Sequence, residues 1–286
     1  MEANKPVQTS AGQTSGPDEV ARKAGAEAKE ANRLDEVRLV VLGWRWPGKS
    51  LTGNTILGRE EFHLERAAEF CVTRQTEVQG RQVTVVDTPG WFSSQDTPPS
   101  YKQELVRGAS LCPPGPHAFL LVIPVGMFTE VDRARIEEHV SLFGEDVWRH
   151  TIVVFTWADV LKKISIERYI RREGKDLQWL LEKCKRRYFL INNCIFGENP
   201  QVGHLIEKVE KMVAKEGGHY NPEEAKEKKP VDENRNSSKE AEELGAQPKQ
   251  NSGVGLSKAR EVEVLSIIFL FAEKHSLVPA GCTSMM

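Results

Sequence analysis

The chain alternates between short runs of apolar, mostly β-branched residues and longer stretches in which apolar residues recur every three or four positions. Val37–Leu42, Val83–Val86, Ala118–Val125, Thr151–Phe155 and Tyr188–Ile191 have the length and composition of buried strands. Lys49–Leu57, Tyr101–Ser110, Asp132–Phe143, Asp176–Arg187 and Val202–Val213 carry the period of helices with one apolar face. On the same grounds Ile166, Ile170, Leu177, Leu180 and Leu181 read as core-facing rather than as an interface. Strand and helix taken in turn predict an α/β fold of three layers, a mostly parallel sheet covered on both faces. Cys71–Val78 is the exception. It runs through Gln79-Gly80 directly into the Val83 strand, which is the pattern of an antiparallel hairpin at a sheet edge.

The alternation stops toward both ends. Residues 1–35 are rich in Ala, Glu, Lys, Gly and Ser and nearly lack large apolar side chains, so burial cannot offset the entropy of ordering them, and they hold no signal-peptide core. Residues 221–260 shift the same way, so both segments are predicted to be disordered tails around one domain at 36–220. Composition agrees: only 39% of the 286 residues are hydrophobic and 28% are charged, as when polar segments dilute an ordinary core. In the last segment, 261–286, the apolar run Val264–Ala272 is less than half of the roughly 20 residues a membrane-spanning helix needs. Two readings stay open for it, a terminal element that docks on the domain and a membrane-surface or partner-binding segment.

Charge adds an exclusion. With 39 Lys and Arg against 41 Asp and Glu the formal charge is -2, so no global basic field draws the chain to nucleic acid. The five cysteines are widely spaced and form no CxxC pair, which argues against a disulfide framework or zinc site and for a reducing, cytoplasmic compartment.

The chemistry begins at the end of the first strand. Gly43-Trp44-Arg45-Trp46-Pro47-Gly48-Lys49-Ser50 fits GxxxxGK[ST] and opens a helix. In that setting backbone N–H groups and the helix N-terminus make an anion nest, Lys49 neutralises phosphate oxygens, and Ser50 ligates Mg²⁺. The candidate contacts to a nucleoside polyphosphate run from Gly43 through Leu51. Pro47 has no N–H to give, which removes one phosphate donor.

Two further stretches narrow the ligand. Asp87-Thr88-Pro89-Gly90 closes the second parallel strand, where Asp87 can hold Mg²⁺ through water and the Gly90 N–H can sense a γ-phosphate. This pairing favours a GTPase-like switch over a small-molecule kinase, which would carry an arginine-rich lid. After the Thr151–Phe155 strand, Thr156-Trp157-Ala158-Asp159 is a degenerate [NT]KxD. A carboxylate at Asp159 can accept the N1–H and 2-amino hydrogens of guanine, which adenine cannot offer. Trp157 replaces the usual lysine, and its indole face is suited to stack on the base. Asn192-Asn193, after the last strand, stands where an amide supports the base.

These residues resemble the immunity-associated nucleotide-binding GTPases, the IMAP family with its AIG-type G domain. The resemblance covers Val37 to Tyr220 and extends through GNTILGREEF (Gly53–Phe62), GRQVTVVDTPGWF (Gly80–Phe92), LCPPGPHAFLLVIPVGMFTE (Leu111–Glu130), FGEDVWRHTIVVFTWADVL (Phe143–Leu161), LQWLLEKCKRRY (Leu177–Tyr188) and GGHY (Gly217–Tyr220). It implies a Ras-like P-loop NTPase fold with added helices, GTP/GDP and Mg²⁺ as ligands, homo-oligomers formed through the switch face, slow or absent hydrolysis, and an immune role. The chain departs from the family pattern in three places: GWRWPGKS stands where GKTGAGKS is usual, the base-reading loop lacks its lysine, and the switch threonine would be Thr73, only fourteen residues before Asp87, with Thr76 as a rival. Thr73 would join Ser50 and Asp87 at the metal.

Hydrolysis usually relies on a glutamine just after DxxG to orient water, and Trp91 occupies that position. His117, in PPGPH, is the one polar candidate beside the family box, and it either serves chemistry or packs beside the proline-rich turn. The expected function is a GTP-gated, self-associating switch that is at most a slow GTPase. The alternative, motivated by Trp46, Pro47 and Trp157, is a scaffold that keeps the fold and binds no nucleotide.

Overall fold

In a computed structural model, residues 32–44, 48–64, 68–92, 96–161, 163–193, 197 and 199–227 are described. Most of the two predicted tails and the whole Val264–Ala272 run lie outside these residues. Six strands form one sheet: β1 (Glu36–Leu42), β2 (Val72–Val78), β3 (Arg81–Asp87), β4 (Ala118–Pro124), β5 (Thr151–Thr156) and β6 (Tyr188–Leu190). Their order is β2-β3-β1-β4-β5-β6, all parallel except β2, which pairs antiparallel with β3. The predicted hairpin is therefore present. Gln79 and Gly80 both take positive φ (51° and 73°), the two-residue turn whose twist suits the flanking strands.

Among the described residues there are seven α-helices, the first five in the connections between strands and the last two after β6: α1 (Lys49–Leu57), α2 (Pro99–Ser110), α3 (Glu130–Val140), α4 (Ile166–Arg172), α5 (Lys175–Lys183), α6 (Pro200–Glu216) and α7 (Pro222–Glu227). Period-two alternation along the central strand divides the core. Val37, Leu39 and Val41 pack toward Ile56 of α1 and Leu205 and Val209 of α6, while Val40 and Leu42 face Leu105 of α2, Ile136 of α3 and Leu177 and Leu180 of α5. Ile166 and Ile170 pack partly buried on the second of these layers. All five residues read as core-facing thus face the core.

Local chemistry moves some boundaries. Helix α3 starts earlier than predicted because Thr129 and Asp132 form a reciprocal capping box, and a separate 3₁₀ turn follows at Ser141–Phe143. Helix α5 stops at Lys183 rather than Arg187, since Lys185 and Arg186 adopt left-handed φ of 50° and 56°. The fold also extends slightly past 36–220: the Leu34 N–H donates to Glu210 Oε1 at 3.0 Å, and Ala225 of α7 is buried.

Candidate functional site

In an open parallel sheet, ligands sit beyond the carboxyl ends of the strands, where the strand order reverses. Here that place is the end of β1, with connections leaving to β3 on one side and β4 on the other. Gly43, Asp87, Trp157 and Asn192 all follow or end parallel strands on this edge.

The phosphate-loop sequence re-enters the described residues at Gly48, whose φ of 86° and ψ of 21° put it in the left-handed region as the cap of α1. Arg45, Trp46 and Pro47 lie outside them. Trp44 pairs with Trp91 in an isolated parallel bridge beyond the β1–β3 ladder, and both indoles are buried in the apolar core. Trp44 thus contributes backbone to the loop and side chain to the core.

Lys49 and Ser50 open α1 and meet Asp87. The Ser50 hydroxyl donates to Asp87 Oδ2 at 2.6 Å, and Lys49 Nζ lies 3.5 Å from Oδ1, with Lys49 and Asp87 both buried. A hydroxyl and a carboxylate side by side are the hard oxygen donors that Mg²⁺ takes when it keeps several waters and shares phosphate oxygens. Among the described residues no cluster of three or more His, Cys, Asp or Glu side chains could cage a metal ion, so a metal here would depend on such shared ligands. Ser50 and Asp87 therefore fit Mg²⁺. Leu51 is half-buried in the first turn of α1. Beyond Asp87, Thr88 Oγ1 donates to the Val41 carbonyl at 2.7 Å, tying the turn that carries the buried Gly90 to the end of β1.

The structure does not bring Thr73 to this group. Thr73 pairs with Val86, and opposed residues of an antiparallel pair share a face. Val86 packs in the α2–α3–α5 layer, whereas Asp87 turns to α1 on the other face. Thr76 shares the face of α1 but accepts from Arg59 at 3.3 Å, near the far end of that helix. No serine or threonine occurs between Thr55 and Thr73, so the 56–72 connection has no hydroxyl to place at a metal.

The base-side candidates lie on two loops. Trp157 takes φ of 58°, an uncommon conformation for a bulky residue, and leads into a 3₁₀ turn at Ala158–Leu161 that leaves Asp159 exposed. The backbone N–H of Asn192 is held by Gln201 Oε1 at 2.9 Å. Asn193 is buried, and its amide goes elsewhere than a base: Nδ2 donates to Thr52 Oγ1 at 3.0 Å, and the Thr55 hydroxyl lies 3.1 Å from Oδ1. Nothing in the sequence pointed to these partners on α1.

Trp91, at the position of the usual water-orienting glutamine, and His117 both pack within the fold. Trp91 is buried and stacks on His139, with centroids 4.9 Å apart and planes at 18°. His117 sits before β4, at the edge opposite the phosphate loop, where its Nδ1 accepts from the Arg38 N–H at 3.0 Å. It packs beside the proline-rich turn, one of the two roles that its sequence context allowed.

A family model described as AIG1 family matches residues 37–241. The chain belongs to the AIG1 family. Human GTPase IMAP family member 8 is 32% identical to this AIG1 chain over 200 residues, covering 68% of the chain and 30% of the relative. Immune-associated nucleotide-binding protein 9 from Arabidopsis thaliana is 35% identical over 192 residues, covering 63% and 56%. The chain spans roughly a third or less of the length of the IMAP family member 8 relatives from human, rat and mouse that it matches. Among solved structures, Toc33 from Arabidopsis thaliana shares the fold of the AIG1 domain. Its complex with Mg²⁺ and GMPPNP matches with a TM-score of 0.53 and 17% identity, over 70% of this chain and 93% of that one. A dimerization-deficient Toc33 mutant matches at 0.54 with 16% identity, over 69% and 93%.

Proposed function

We propose that the chain binds GTP and GDP with Mg²⁺ and acts as a nucleotide-gated switch that self-associates through its switch face, with slow intrinsic hydrolysis. The observation that carries the reading is the meeting of Lys49 and Ser50 with Asp87. A phosphate-loop lysine, a magnesium-ligating hydroxyl and the carboxylate that closes β3 are the parts a triphosphate and its metal require. Relatives named as GTPases and a fold shared with a protein crystallised with Mg²⁺ and GMPPNP support the same ligand. In the bound complex, Mg²⁺ would supply charge neutralisation between the phosphates, with Ser50 a direct ligand and Asp87 acting through water. The Gly90 N–H would respond to the γ-phosphate, and Asp159 would read guanine.

Slow hydrolysis follows from what the water-orienting position holds. Trp91 is turned into the core, and the 56–72 connection offers no hydroxyl. Self-association is an extension from the family resemblance, and a dimerization-deficient Toc33 mutant is consistent with an assembling fold relative. An immune role rests on the names of the relatives. A reducing, cytoplasmic setting suits Cys71, Cys112 and Cys184, which are free and buried.

Titration of the purified chain with a fluorescent GTP analogue and Mg²⁺, with GTP or ATP as competitor and Lys49→Ala as control, tests the reading. Saturable binding displaced by GTP and poorly by ATP is expected. Absence of saturable binding at micromolar protein would leave the nucleotide-free scaffold.

A further inference from the structure

Two described residues after β6, Asn193 and Gly197, are fastened to opposite ends of α1. At one end, the buried Asn193 amide lies between the hydroxyls of Thr52 and Thr55, at 3.0 and 3.1 Å. A methyl group on Gly48 would sit 3.7 Å from Asn193 Nδ2, so the amide also abuts the last glycine before Lys49. At the other end, the Gly197 N–H donates to the Gly58 carbonyl at 3.1 Å, just past the end of α1.

Hydrogen counting shows how specific the first contact is. A hydroxyl has one proton, and Thr55 Oγ1 also lies 2.8 Å from the Leu51 carbonyl, which can only accept. If Thr55 donates to Leu51, the amide NH₂ faces Thr55 and the amide oxygen accepts from Thr52, so that both hydroxyl protons have an acceptor. In the other orientation Asn193 donates to Thr52 and accepts from Thr55. Either way one buried amide joins two hydroxyls of the helix that presents Lys49 and Ser50. An apolar side chain of this size would fill the space and leave both hydroxyls without that partner.

We infer that Asn193 is a positioning residue: through Thr52 and Thr55 it locks the base-side loop to the phosphate-loop helix and so sets the distance across which guanine is read. The inference rests on the guanine-nucleotide reading above and deepens it. Asn193 directs its side-chain amide to Thr52 and Thr55, and its role is exerted through α1. The phosphates are held by α1 and its preceding loop, whereas the base meets the loops after β5 and β6. Hydrogen bonds to guanine weaken steeply with misplacement, so loosening the clasp should remove base discrimination before it removes the grip on phosphate.

Binding of GTP and ATP, each with Mg²⁺, to the full chain and its variants tests this, with thermal unfolding of the ligand-free protein measured alongside. Asn193→Ala is expected to lower the GTP-over-ATP affinity ratio by about tenfold, mainly through weaker GTP binding. Thr55→Val should lower the same ratio, while Thr55→Ser, which restores the hydroxyl, should recover it. If Asn193→Ala does not fold, the Thr55 pair decides. An unchanged ratio in folded variants, with only the unfolding temperature reduced, would make the clasp merely structural and overturn the inference. Wild-type protein that binds neither nucleotide would overturn the reading of the site itself, and the positioning role with it.

Discussion

The backbone N–H of Arg38 donates to Nδ1 of His117 at 3.0 Å, while the guanidinium of the same arginine lies 3.1 Å from Nε2 and donates through Nε to the Gly115 carbonyl at 2.7 Å. A neutral imidazole carries one proton, so an accepting Nδ1 puts it on Nε2, and the guanidinium contact there is an approach between two donors. Burial first, and Arg38 second, push the His117 pKa down to about 3. Beside the ring, the Pro116 carbonyl accepts from the Tyr220 N–H at 2.9 Å.

This arrangement predicts acid sensitivity. Burial also lowers His150, to about 4, with Asp146 opposing in part. Both folded values lie below the unfolded value of about 6.5, so the unfolded chain binds more protons as acid is added. Their contribution is complete above about pH 6.5 and is lost as pH falls through about 4 and then about 3. Glu216 adds to the loss at the acid end: burial raises its pKa, but Lys185, Arg187 and Arg149 outweigh that and hold it at about 2. Urea midpoints measured from neutral pH downward should fall steadily once pH drops below about 6.5. A midpoint that rises on mild acidification would contradict this account.

Removing Lys49 or Ser50 should separate charge from metal. Lys49→Ala loses charge-assisted bonds to phosphate worth about 1.5–3 kcal/mol, so GTP affinity should drop about tenfold to a hundredfold. Ser50→Ala should instead blunt the dependence of GTP affinity on Mg²⁺, and a metal titration at fixed nucleotide distinguishes the two. Equal Mg²⁺ dependence in Ser50→Ala and wild type would remove Ser50 from the metal shell.

Supplying the glutamine that the sequence lacks after DTPG should not make a fast enzyme. Trp91 packs against His139, whose Nδ1 donates to the Arg135 carbonyl at 2.7 Å and whose Nε2 accepts from the Thr97 hydroxyl at 2.7 Å. Trp91→Gln therefore empties a buried site, at a stability cost of about 3–5 kcal/mol. Phosphate release should stay as slow as in wild type, alongside a lower unfolding temperature. Rapid turnover in this variant would show that the position faces the nucleotide after all.

The hairpin is fastened to α6 by a buried pair, Arg81 Nε donating to Glu210 Oε1 at 2.7 Å and Nη2 to Oε2 at 3.2 Å. Arg81→Ala removes the charged partner of the buried Glu210 carboxylate and leaves it the Leu34 N–H, costing about 3–5 kcal/mol. Replacing both partners, as in Arg81→Met with Glu210→Leu, should recover much of the loss in chemical denaturation. Because Arg81 begins β3 and the phosphate loop lies beyond the strands' other ends, GTP affinity should be unchanged in either folded variant.

What the sequence by itself determined was local. Apolar runs located five of the strands and apolar periodicity most of the helices, the Gln79-Gly80 turn located the hairpin strand β2, and the phosphate-loop and DTPG residues lay at strand ends because consecutive chemistry of backbone, glycine and lysine makes an anion nest wherever it occurs. What tertiary structure decided was direction. Thr73 fell on the wrong face through strand register, where a shift of one residue reverses every side chain. Trp91 turned to His139, forty-eight residues away, rather than toward the phosphates. Asn193 gave its amide to Thr52 and Thr55, more than a hundred residues earlier. No spacing in the chain encodes such partners, because a side chain's orientation is settled by which distant surface the packed sheet and helices bring against it.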